Sequence, residues 1–257
     1  MLDLIDSRKL GSTMTGDSST RQIVAIGGAG LSTETDNLLL EKYLLKLANK
    51  ETPKICFVPT ASGDAQSYID RFDASFAQLS CTPSHLLLFR LHTAELRPFL
   101  LEQDIIYVGG GNTKNLLALW KEWGLDTIIR EAWERGVILA GWSAGSICWF
   151  EEGVTDSIPG ELTVLPCLGF LKGSNCPHYD GELERKPSYH RLLSAGLISE
   201  GYAADDGVAL HFFGTQLERI VTSRPQSKAY RLEKVGEIVK ESPLEPTYLG
   251  DILNKSN

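Results

Sequence analysis

Cysteine, basic charge and long apolar runs are all in short supply in this chain, and each shortage removes a class of function. The five cysteines (Cys56, Cys81, Cys148, Cys167 and Cys176) are odd in number, and no two stand in a CxxC spacing. A secreted disulfide framework and a structural zinc site therefore lack their raw material, so no metal is expected, and reduced thiols in a cytoplasm suit the pattern better. Lys and Arg number 25 against 33 Asp and Glu, a net charge of -8, and no basic block stands out. Phosphate backbones call for a basic stripe, which makes nucleic acid an unexpected partner. No run is long enough to span a membrane, and the opening "MLDLIDSRKLGSTMTGDSSTR" lacks the apolar centre of a signal peptide. Residues 1–21 read as a polar extension of a cytoplasmic protein with no membrane partner.

What is present is an ordinary globular composition, 42% hydrophobic and 23% charged over 257 residues, enough to bury a sizeable core. Short apolar runs predict five strands: "QIVAIGG", "PKICFVPTAS", "SHLLLFRL", "QDIIYVGGGN" and "GVILAG". Helical spacing separates them, with Leu38, Tyr43, Leu44 and Leu47 on one face, then Ala65 to Leu79, Lys114 to Trp123 and Asp126 to Arg135. Strands alternating with helices predict an α/β fold whose mostly parallel sheet is covered on both faces. The stretch "GYAADDGVALHFFGTQLERIVTSRPQSKAYRLEKVGEIVKES" instead alternates apolar and polar residues. Turn signals at Asp206-Gly207, Gly214 and Pro225 make it an antiparallel meander. One domain is expected over residues 22–242, with 243–257 as a C-terminal tail.

The run "VILAGWSAGSICWF" raises a chemical question, because a serine flanked by small residues sits where a buried strand ends and a helix begins. Gly141-Trp142-Ser143-Ala144-Gly145 fits the G-x-S-x-G elbow, in which a sharp strand-to-helix turn lifts a nucleophilic hydroxyl above the sheet. A Gly-rich turn with an incidental serine would look the same. "YVGGGNT" closes the preceding strand, so its loop can reach the same edge. There an amide of Gly110 or Gly111 could join that of Ala144 around a developing oxyanion. Without the lysine of a P-loop, the glycine loops make poor phosphate sites, and "GGAGLS" remains a minor nucleotide-binding candidate. A serine nucleophile needs a base, and five histidines are available: His85, His92, His178, His190 and His211. His178, in "NCPHYDGELERKPSYHR", stands in a plausible strand-end loop, but chain order alone does not choose among them.

"GGGNT", "GWSAGS", "TDSIP" and "CPHYD", in that order, resemble the dipeptidase E-like serine peptidases of family S51, which include aspartyl dipeptidases and, more distantly, cyanophycinases. The likeness runs from Gln22 through the meander. It implies a flavodoxin-like three-layer sandwich akin to class I glutamine amidotransferases, with serine in place of the amidotransferase cysteine. It further implies Ser143 as nucleophile, His178 as general base and Asp156 as the acid, with Glu152 and Asp180 as competitors. Oxyanion amides would come from Gly110 or Gly111 and Ala144. Asn112 and Arg185 are the substrate-binding candidates, with Arg191 and Arg224 as further cations that could meet a substrate carboxylate. The implied reaction is hydrolysis of small peptides through an acyl-enzyme with no cofactor, and a homodimer is left open. Rival readings are a non-catalytic ligand-binding member of the same fold, a cyanophycinase-like hydrolase of aspartyl peptides, and amidotransferase chemistry at Cys148.

Overall fold

The computed structural model describes residues 21–29, 31 and 36–253. Five strands run parallel, four of them apolar runs: β1 (Gln22–Ile26), β2 (Lys54–Val58), β3 (Thr82–His85), β4 (Ile105–Val108) and β5 (Ile138–Trp142). They lie side by side in the order β1-β5-β4-β2-β3. Successive side chains of a strand point to opposite faces, so an unbroken apolar run needs cover on both. That cover is present. Ile23, Ala25, Cys56, Val58, Ile106 and Val108 face one core with Leu100, Leu116, Trp120, Ile129 and Trp133. Val24, Ile26, Ile55, Phe57, Ile105 and Tyr107 face another with Leu40, Leu44, Phe72 and Phe76. Helices α1 (Leu39–Leu47) and α2 (Gln66–Phe76) thus lie on one face, and α3 (Leu96–Leu101), α4 (Thr113–Glu122) and α5 (Leu125–Glu134) on the other. The third strand is shifted from its expected place. β3 stops at His85, and the apolar Leu86 and Leu88 are buried beyond it.

The helix expected after Ser143 is a single turn, α6 (Ala144–Ile147). Beyond it come β6 (Phe150–Thr155), β7 (Thr163–Pro166), β8 (Leu171–Cys176), α7 (Arg185–Ser194) and β9 (Gly201–Ala204). Next are β10 (Val208–Phe213), β11 (Gln216–Thr222), β12 (Ala229–Val235), β13 (Ile238–Leu244), β14 (Thr247–Tyr248) and α8 (Leu249–Leu253).

The expected meander is divided between two sheets. β10 runs antiparallel to β1 and carries β11 outward, extending the main sheet. The β12–β13 hairpin instead joins a second sheet of order β13-β12-β9-β8-β6-β7. β9, "GYAA", which opens that meander, also lies in the second sheet, while β6 and β8 read "FEEGVT" and "LKGSNC", which lack an apolar pattern strong enough to announce a sheet. The C-terminal stretch departs from a tail. β14 pairs in parallel with the end of β11, and Leu249 is fully buried. The N-terminal extension, apart from Arg21, lies outside the described residues.

Candidate active site

The α6 turn packs so closely on β5 and β4 that the elbow glycines leave no room for side chains. A Cβ on Gly141 would overlap the Gly145 carbonyl, and one on Gly145 would overlap the Val108 carbonyl of β4. The G-x-S-x-G spacing is therefore enforced by backbone packing, beyond what an incidental turn requires. Between those glycines Ser143 takes φ 54° and ψ -115°, a conformation that L residues rarely hold and that the surroundings must impose. Its amide donates to the Ile26 carbonyl at the end of β1 (3.2 Å), and its carbonyl accepts from Ser146 and Ile147 (2.9 Å each).

The next carbonyl, just past the end of β1, holds the histidine. His178 N donates to Gly27 O at 3.2 Å, and His178 also has a positive φ, 54°. Two strained residues from different sheets are therefore anchored on consecutive carbonyls at the carboxyl end of one strand. Gly28, the following residue, lies against the imidazole. A Cβ there would overlap both the His178 ring and Asp206 Oδ1.

The carboxylate on the His178 ring is Asp206, whose Oδ1 lies 2.8 Å from Nδ1. Asp206 is set by its backbone, its amide donating to Asp180 Oδ1 (2.8 Å) while the Gly207 amide donates to Gly28 O (2.9 Å). Burial works to raise the Asp206 carboxyl. The hydrogen bond and charge of His178, with the Arg224 guanidinium 3.9 Å from Oδ2, outweigh it and hold the group below its ordinary value.

The expected acid is elsewhere. Asp156 is 65% exposed and faces Arg185 Nη2 at 3.7 Å. Of its competitors, Glu152 accepts the Ser199 amide (2.5 Å), and Asp180 is occupied by the amide of Asp206. Asp206 escaped the sequence reading because "ADDG" looks like a turn, and a turn it is. Its one further signal, an acid at the end of a strand after the histidine, means something only once β9 is known to lie beside β8.

The other expected residues divide. A Cβ on Gly110 would lie 3.2 Å from Ser143 Cβ and 2.9 Å from Trp142 Nε1, so this backbone runs directly beside the serine side chain. Gly109 and Asn112 amides pin the loop to Val58 O (3.1 Å) and Ala61 O (2.8 Å), with Gly111 between them at φ 134°. Asn112 is used structurally: its Oδ1 caps α4 through the Asn115 amide, and its Nδ2 donates to Ser157 O, each at 2.9 Å. Arg185 does not present its charge to a substrate; it is 2% exposed and bonded to Glu182 and the Val154 carbonyl.

The remaining histidines have structural partners: His85 on Asp73, His190 on Glu241, His211 between Tyr43 and Gln22, and His92 edge-on to Phe99. Cys148 is buried, and burial pushes its thiol well above the ordinary range, the wrong direction for an amidotransferase nucleophile.

A serine elbow at the carboxyl edge of a parallel sheet, a histidine–carboxylate pair anchored on the adjacent carbonyl and a glycine backbone along the serine are the parts that a hydrolase of the α/β class requires. Comparison with known proteins narrows the class. The model of peptidase family S51 matches residues 23–220, and the chain belongs to that family. An uncharacterized peptidase, YgaJ, of Bacillus subtilis (strain 168) is 58% identical over 230 residues, which is 90% of this chain and all of that one. Peptidase E of Pasteurella multocida (strain Pm70) is 30% identical over 185 residues, 66% of this chain and 76% of its own length. The crystal structure of a peptidase from an acI-B1 actinobacterium shares the fold, with a TM-score of 0.66 at 18% identity over 88% of this chain and 94% of that one. The protein is a peptidase of the dipeptidase E type.

Proposed function

We propose that this peptidase cleaves short peptides through an acyl-enzyme on Ser143, with His178 as general base and Asp206 as the acid that orients it. The observation that carries the reading is the His178–Asp206 hydrogen bond, made by a histidine anchored on Gly27 O next to the Ile26 carbonyl that holds Ser143. Asp206 accepts from Nδ1–H and so leaves the Nε2 lone pair free to receive the serine proton. His178 removes the hydroxyl proton as Ser143 Oγ attacks the peptide carbonyl. The amides of Ala144 and Gly110 hold the charge that develops on oxygen, Ala144 being a first-turn residue whose N–H has no partner within its own helix. The imidazolium protonates the departing amine, and water then repeats the sequence on the ester.

A preference for aspartyl peptides is not part of this reading, because each candidate cation faces protein oxygens: Arg185 is turned inward, Arg191 lies on Glu161 and Arg224 on Asp206. Five free thiols, three of them buried, suit a reducing compartment such as the cytoplasm. A fluorophosphonate probe should label wild-type protein, peptide mapping should place the adduct on Ser143, and Ser143→Ala should abolish it. Absence of labelling in folded wild-type protein would favour a ligand-binding role. A dipeptide library, including Asp-X members, would then define the substrate.

A further inference from the structure

Arg185 opens α7, yet its side chain is 2% exposed, an uncommon place for a guanidinium. Its planar fork is directed at oxygens from two separate segments. Nε donates to Glu182 Oε2 at 2.6 Å, Nη1 donates to the Val154 carbonyl at 2.9 Å, and Nη2 lies 3.7 Å from Asp156 Oδ1.

Each segment leads to one half of the active site. Glu182 closes the turn that begins at the histidine: its amide donates to His178 O, and its carbonyl accepts from Arg185 N, both at 3.0 Å. Val154 and Asp156 lie at the end of β6, and the next residue, Ser157, grips the glycine loop. Ser157 O accepts from Asn112 Nδ2 at 2.9 Å, and Ser157 Oγ accepts from the Lys114 amide at 3.3 Å. Thr155 Oγ1 stiffens this link, lying 2.8 Å from Ser157 Oγ and accepting the Ser157 amide at 3.1 Å.

A path of hydrogen bonds joined by short stretches of chain therefore runs from His178 through Glu182, Arg185, the end of β6 and Asn112 to Gly110–Gly111. The two ends of that path belong to different sheets, since His178 follows β8 and the glycine loop follows β4. We infer that Arg185 is a positioning residue for hydrolysis, a buried brace that sets the spacing between the His178 turn and the Gly110–Asn112 loop. The inference rests on the roles proposed above for Ser143, His178 and the Gly110 amide. Arginine suits the task because its donors point in fixed directions within one plane, whereas lysine offers a single flexible point charge. A misplacement of about 1 Å at a reacting group can cost about 100-fold in rate, so a brace of this kind acts on catalysis without touching substrate.

The test is the second-order rate constant for fluorophosphonate labelling of Ser143. It is measured in wild type, Arg185→Met, Arg185→Lys, Glu182→Gln, Asn112→Ala and the Arg185→Met/Asn112→Ala double variant. Each rate is taken on folded protein, well below that sample's own thermal midpoint, so that loss of stability alone does not move it. The probe carries no carboxylate, so the readout is also blind to direct recognition of an acidic substrate. Arg185→Met is expected to slow labelling about 100-fold, with Arg185→Lys recovering part of the loss. The double variant should be little slower than the worse single one, because both break the same path. Should Arg185→Met fail to fold, Glu182→Gln, at a half-exposed position, still weakens one arm by removing its charge and should slow labelling several-fold. Wild-type labelling rates in the folded Arg185 and Glu182 variants would overturn the brace while leaving the peptidase site intact. So would effects of Arg185→Met and Asn112→Ala that simply multiply. A wild type that does not label at Ser143 would instead remove the underlying site, and the brace with it.

Discussion

Replacing Asp206 by asparagine removes a charge while nearly preserving shape, and so isolates what the carboxylate does for His178. In the native site Asp206 accepts from Nδ1–H, which stabilises both the productive tautomer and the imidazolium formed during turnover. A carboxamide that offers its NH2 group to Nδ1 would favour the other tautomer, with the proton on Nε2, where it cannot receive the serine proton. Where such a carboxylate is buried beside a serine–histidine pair, this change costs about 10⁴-fold. Here the Asp206 side chain is 18% exposed with Arg224 3.9 Å away, so part of its field is screened. A loss of about 10³-fold in kcat is expected, equivalent to about 4 kcal/mol. The fold should survive, because the bond from the Asp206 amide to Asp180 does not involve the substituted group. Asp156→Asn is the companion variant. Its ion pair to Arg185 spans 3.7 Å from a 65% exposed carboxylate, worth at most about 1 kcal/mol, so its loss should stay within about fivefold. Steady-state hydrolysis of the best library dipeptide and the labelling rate at Ser143 both read the difference. Equal losses in the two variants, or less than tenfold for Asp206→Asn, would refute the assignment of Asp206.

Gly28→Ala should cut labelling by at least about 100-fold, because its methyl group would overlap the His178 ring and Asp206 and displace both; a near-normal rate would show that the pair does not matter. Ser143→Gly should raise the midpoint of urea unfolding while abolishing labelling. Relief of the positive φ at residue 143 is worth about 1–3 kcal/mol, and an unchanged or lower midpoint would contradict the strain. His211 supplies a test of stability against pH. Burial, with a smaller contribution from the charge of Arg219, holds the ring down to about 4, against about 6.5 when unfolded. The unfolded chain therefore takes up this proton first as pH falls, and the stability present above pH 6.5 drains away toward pH 4. Between pH 7 and 4.5 wild type should lose about 2 kcal/mol more than His211→Gln in urea unfolding, and parallel losses would exclude His211 as a source of acid sensitivity.

Much of the candidate site was legible in the residues themselves, because strand-end geometry is local. Apolar runs that end in Gly109-Gly110-Gly111 and Gly141-Trp142-Ser143 carry both their buried strands and the loops at their mouths. The central parallel strands and the serine elbow accordingly lie where periodicity and motif place them. Period-two alternation after Gly201 identified strands but not their partners, since a half-buried strand can serve any sheet with a free edge. Tertiary structure decided that β10 pairs with β1 while β12 pairs with β9. The same limit hid the carboxylate partner of His178. Asp156, Asp180 and Asp206 are equivalent as letters, and a carboxylate reaches a histidine through space, across strands whose neighbours are chosen by packing. Arg185 shows the converse: a charge that sequence offers to a substrate is turned inward, because the fold brings the Val154 carbonyl and Glu182 within reach of its guanidinium.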